Sequence, residues 1–79
     1  MWWIFEKISD IGQNVLYAYS RGNRNLDGRI SINRVTQEIT MIQPSADDAG
    51  IKFAEDKAIE KASWMIDYDF PPDRQIACG

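Results

Sequence analysis

The sequence contains no histidine and only one cysteine, Cys78. Histidine is the usual general base near neutral pH and the commonest transition-metal ligand. Without it, neither a Ser-His-Asp nor a Cys-His arrangement can be built, and no His-bearing zinc site is available. A single thiol also excludes all-cysteine metal sites and any intrachain disulfide. No imidazole can take the proton of Cys78, and one residue follows it where a prenylation signal needs three, so it reads as an inert tail residue. Carboxylates, lysines and tyrosines remain. Paired-carboxylate hydrolysis generally needs a substrate cleft, which is hard to build from 79 residues. No catalytic residue, cofactor or metal is therefore expected, and the chain does not read as an enzyme.

Long apolar runs are missing too. The longest, Met1 to Phe5, is far short of the roughly 20 residues that span a bilayer. The start has no basic stretch, and Glu6, Lys7 and Asp10 interrupt what would be the apolar part of a signal peptide. The expected setting is cytoplasmic, with no membrane partner. The remaining composition, 44% hydrophobic and 27% charged, is that of an ordinary globular chain. One domain over 1–79 is expected. Its stability should be marginal, because a chain this short buries only about 60–65% of its unfolded surface.

Three segments carry pattern. From about 3 to 20, Ile4, Phe5, Ile8, Ile11, Val15, Leu16, Ala18 and Tyr19 fall on one face at 100° per residue. Glu6, Asp10, Gln13 and Asn14 take the other face, which predicts an amphipathic helix. Gly12 weakens it, and Arg21-Gly22-Asn23 supplies a stop. From 29 to 43 the signals conflict. Ile32, Val35, Ile39 and Ile42 have helical spacing, yet seven of the thirteen residues from Ile30 to Ile42 are β-branched and suit a pleated surface. A β-hairpin is expected, with a loop over 33–38 in which Gln37 stands where glycine would be easier. From 46 to 67, Ser45 and Asp48 suggest a capping box. Ile51, Ala54, Ala58, Ile59, Ala62, Met65 and Ile66 form the apolar stripe of a second helix, which must end before Pro71-Pro72. The expectation is an α+β fold in helix–hairpin–helix (αββα) order. A two-stranded antiparallel sheet would pack on two helices, with an irregular proline-containing tail over 70–79.

Three constellations bear on function. Asn23, Asn25, Asp27, Gly28, Ile30 and Ser31 have the spacing of an EF-hand calcium loop. However, Arg34 stands where the bidentate glutamate belongs, and the twelve residues 23–34 carry a net charge of +2. A turn entering a strand is the better reading. Second, Arg21, Arg24, Arg29 and Arg34 lie within fourteen residues opposed only by Asp27. The chain's net −3 thus divides into +3 here and −6 elsewhere, a basic edge on an acidic body. Third, Phe53, Trp64 and Tyr68 share the helix face opposite the apolar stripe, with Lys57 and Lys61 between them. Trp2, Trp3 and Tyr17 likewise leave the first stripe. Trp and Tyr dominate binding hot spots.

These features favour a protein-binding module: an adaptor, regulator or inhibitor of a larger protein, which could include a basic nucleic-acid-handling enzyme. Its contact residues would be Arg21, Arg24, Arg29, Arg34, Phe53, Trp64, Tyr68, Trp2 and Trp3. The partner is another protein, with a second copy fitting as well. The alternative is a nucleic-acid-binding domain using the arginines, although a net acidic chain lacks the usual footprint.

Overall fold

In the computed structural model, which describes residues 2–77, Gly12 reverses the chain where the sequence suggested a weakened helix. Strands β1 (Trp2–Ile11) and β2 (Asn14–Arg21) run antiparallel around the two-residue loop Gly12-Gln13. Gly12 has φ 62° while Gln13 stays out of the left-handed region, the pattern of a II′ hairpin turn with glycine first. The expected first helix is therefore two strands.

Three more strands follow: β3 (Gly28–Asn33), β4 (Ile39–Gln43) and β5 (Asp73–Ala77). All pair antiparallel in the order β4-β3-β2-β1-β5. β3 and β4 are the pair within 29–43, but they are one edge of a five-stranded sheet and not a free-standing hairpin. Gln37 does take a left-handed conformation, φ 65°, in the loop joining them. Relieving that strain with Gln37→Gly is expected to raise stability by up to about 1 kcal/mol. A denaturant midpoint that does not move, or falls, would contradict it.

Among the described residues, helix is confined to α1 (Lys52–Ala62) and α2 (Trp64–Asp67), which adjoin at Ser63. The second expected helix thus starts later than 46, and the expected capping box is not a cap. No side chain caps α1; the Ser45 hydroxyl donates to Asp27 and the Asp48 carboxylate receives Arg21. The tail expected to be irregular contributes β5, while Cys78 lies outside the described residues. The fold is mostly sheet with one helical stretch, which overturns the αββα, α+β expectation. No helix among the described residues is long and apolar enough to cross a membrane.

The core lies between one sheet face and the helix. Trp3, Phe5, Val15, Tyr17, Tyr19, Ile30, Ile32 and Ile76 come from the sheet, and Ala58, Ala62 and Met65 from the helix. The register explains the set, since directly paired residues share a face. Phe5 sits opposite Tyr19, Val15 opposite Ile32, and Tyr17 opposite Ile30. Alanines on the buried side of α1 let the helix approach closely. Among the described residues, no helix covers the opposite sheet face. There the loop 22–27 folds back, and the buried Ser20 donates its hydroxyl to the Asn23 carbonyl at 2.6 Å.

Candidate functional site: an aromatic and cationic ridge

The chain's nine basic side chains can be sorted by what holds them. Lys7, Arg21, Arg34, Lys52 and Lys57 each pair with a carboxylate. Arg29 donates to the carbonyls of Leu26 and Gly28 at 2.7 and 2.8 Å, tying down the loop before β3. Among the described residues, Arg24, Lys61 and Arg74 have no such partner.

The four arginines that cluster in sequence are thereby dispersed. Arg21 Nε donates to the fully buried Asp48 at 2.8 Å, one end of a network in which the Ser45 amide donates to Tyr19 Oη at 2.9 Å. Arg34 lies near the β1–β2 turn, on Asp10 and over the Phe70 ring. Its guanidinium, followed by Lys7, holds the Asp10 carboxyl below the usual carboxylate range. Arg21 and Arg34 thus mark opposite ends of β2, some 20 Å apart at about 3.4 Å per residue. Arg24 stands on the uncovered sheet face, where it lines a shallow groove of about 310 Å³ with Trp2, Ile4, Asn23 and Gln75.

The calcium-like string has a structural job. Asn23 Nδ2 donates to Asp47 at 2.9 Å, and Asp27 accepts from the Ser45 hydroxyl at 2.9 Å and the Ala46 amide at 3.0 Å. The Ala46 amide first, then the Ser45 hydroxyl, keep the Asp27 carboxyl below its ordinary range. Two of the side chains suggested as ligands instead pin the 22–27 loop to the segment before α1. Among the described residues no group of three or more candidate ligands could hold a metal ion.

The aromatic residues divide differently from the expectation. Trp3 is core, while Trp2 is half-exposed on the other sheet face. On the helical stretch, Phe53, Trp64 and Tyr68 are 72%, 38% and 43% exposed. Each carries a cation on its ring: Lys57 over Phe53 at 5.8 Å, Lys61 over Trp64 at 5.0 Å, and Arg74 over Tyr68 at 3.7 Å. Lys61 also lies 5.6 Å from the Trp3 ring. Residues 53, 57, 61, 64 and 68 recur every three or four positions, so they line one side of the helical stretch. β5 brings Arg74 alongside.

Sequence reasoning found Phe53, Trp64 and Tyr68 but missed Arg74 and the contact of Trp3 with Lys61. Arg74 belongs to a strand that Pro71-Pro72 and the polar run behind it concealed. With these positions established, comparison adds no relative: the chain matches no protein-family model, no curated protein and no solved structure.

Proposed function

We propose that this chain is a non-catalytic, cytoplasmic protein-binding module whose recognition face is the ridge of Phe53, Trp64 and Tyr68 with Lys61 and Arg74. The observation that carries this is the coincidence of unmatched charge and exposed ring. Two of the three basic side chains without a partner among the described residues sit on exposed aromatic rings of the same ridge. Solvated aromatic surface is costly unless something covers it, and Trp, Tyr and Arg are the residues that most often anchor protein interfaces. The cations hold the rings in place in the free molecule. An adaptor, regulator or inhibitor of a larger protein needs no more machinery than this.

Affinity capture with the intact chain tests it. The wild type is expected to retain a stoichiometric partner, and Trp64→Ala or Tyr68→Ala to weaken retention by at least about thirtyfold, the cost of a hot spot. Both side chains are partly exposed, so the fold should survive, as a circular dichroism spectrum can establish. Equal retention by wild type and both variants would remove the ridge from recognition. Salt-sensitive binding of oligonucleotides that is lost with Arg24→Gln but indifferent to Trp64 would favour nucleic-acid binding instead.

A further inference from the structure

Lys61 and Trp3 share an unmet need. Lys61 is only 9% exposed, so its ammonium group approaches the Trp3 and Trp64 rings with little water around the side chain. No carboxylate among the described residues lies within ion-pair distance of it. The Trp3 indole N–H is the one buried side-chain polar atom among the described residues without a hydrogen-bond partner. Buried donors are almost always satisfied, and an orphan calls for an explanation. Here a cation and an orphan donor belong to the same cluster. What the cluster lacks is an acceptor.

We propose that Lys61, seated between Trp3 and Trp64, receives an acidic side chain of the partner protein. This rests on the reading of the ridge as the recognition face and names the chemistry that the ridge selects. A carboxylate gives the Lys61 ammonium a charged acceptor, the strongest kind of hydrogen-bond partner open to it. Arg74, stacked on Tyr68 one helical turn beyond Trp64, offers a second cation to a neighbouring acid. Charge complementarity also decides against a polyanion. Glu60 already occupies Lys57, Asp67 and Asp69 are exposed at the same end of the helical stretch, and the whole chain carries −3. A continuous phosphate backbone would meet those carboxylates. A protein segment presenting one or two acids beside apolar side chains would not, and its apolar part would cover Trp64 and Tyr68.

The test uses the intact chain with a short peptide carrying one glutamate among apolar residues, its glutamine counterpart, inorganic phosphate and single-stranded oligothymidylate. Nuclear magnetic resonance follows the indole N–H signals of Trp3 and Trp64. The glutamate peptide is expected to shift both signals in a saturable way. Lys61→Met, which keeps an unbranched side chain but removes the charge, should weaken that binding at least tenfold. Arg24→Gln should leave it unchanged. The proposal is overturned if the peptide moves neither signal at millimolar concentration, or if Lys61→Met binds as the wild type does. It is equally overturned if the glutamine peptide, phosphate or the oligonucleotide shifts the same signals as strongly. Should the acidic peptide fail while Trp64→Ala still abolishes partner capture, the seat is wrong and the ridge stands. If capture is also indifferent to Trp64, both readings fall.

Discussion

Gly28→Ala is expected to cost on the order of 3 kcal/mol or more, enough to leave much of a chain this small unfolded. Gly28 faces Tyr19 across the β2–β3 ladder, and the tyrosine ring lies where a side chain at 28 would go. An added Cβ would come within 2.7 Å of Tyr19 Cζ and still closer to Cδ1 and Cε1. A flexible side chain could swing aside, but this ring is held on two sides. Its hydroxyl accepts the Ser45 amide at 2.9 Å, and its face stacks on Phe5 at 6.0 Å with 24° between the planes. Moving the ring therefore disturbs the segment before α1 and the centre of the core together. The role of Gly28 is close approach, not a left-handed turn.

A double-mutant cycle isolates that contact. Tyr19→Ala alone opens a cavity and should cost about 3–5 kcal/mol. The pair Gly28→Ala with Tyr19→Ala should then cost clearly less than the two single changes added together, because the ring that clashes is gone. Chemical denaturation supplies all three values. A Gly28→Ala protein within about 1 kcal/mol of wild type would show that Tyr19 is free to move.

Gly28 also shows why part of the fold was illegible in the sequence. In the reading from sequence it was a turn residue in an EF-hand-like string, a local role, whereas its requirement comes from a residue nine positions earlier on the neighbouring strand. The β1–β2 hairpin was hidden for a related reason. Trp3 and Phe5 face the helix, but Ile4, paired with Ser20, and Leu16, paired with Ser9, place apolar side chains on the other face. With both faces partly apolar, strict alternation disappears, and the residue set can be laid on a helical wheel equally well. A register shift between Lys7 and Ser9 breaks the two-residue period further. Strand-favouring side chains were abundant there, with Trp2, Trp3, Ile4, Phe5, Ile8 and Ile11 before the glycine. The β-branched content that argued for strands at 30–42 argued for them here too. The arginine cluster misled because adjacency in sequence is undone by a ladder: β2 and β3 carry Arg21 and Arg34 to opposite ends of the sheet. The aromatic face of 53–68 was legible because it lies within one helical stretch, where spacing and surface coincide.

Raising the pH through about 10 to 12 is expected to unfold the protein, driven by Tyr17 and Tyr19. Both are fully buried in the core. Burial, the main cause for each, pushes both phenols up from 10.0 to about 12. The nearby carboxylates of Asp10, for Tyr17, and Asp48, for Tyr19, push the same way. The protonated phenol is the neutral form. Between pH 10 and 12 the unfolded chain therefore releases protons that the native state retains, so stability falls as pH rises across that window and is unaffected by these groups below it. Each tyrosine withdraws on the order of 2–3 kcal/mol, so the two together withdraw about 5 kcal/mol, comparable to the whole stability of a small domain. Tyr17→Phe isolates this effect. At neutral pH the variant should be weaker by about 1 kcal/mol, because Tyr17 donates to the Pro71 carbonyl at 2.6 Å and so anchors the entry to β5. Above pH 11 it should be the more stable protein, because one of the two titrating phenols has been removed. The measurement is urea denaturation at a series of pH values, with tyrosinate absorbance followed in parallel. Curves for wild type and Tyr17→Phe that never cross, or complete ionisation of all three tyrosines near pH 10 with the circular dichroism spectrum intact, would mean that these rings are not sealed in the core.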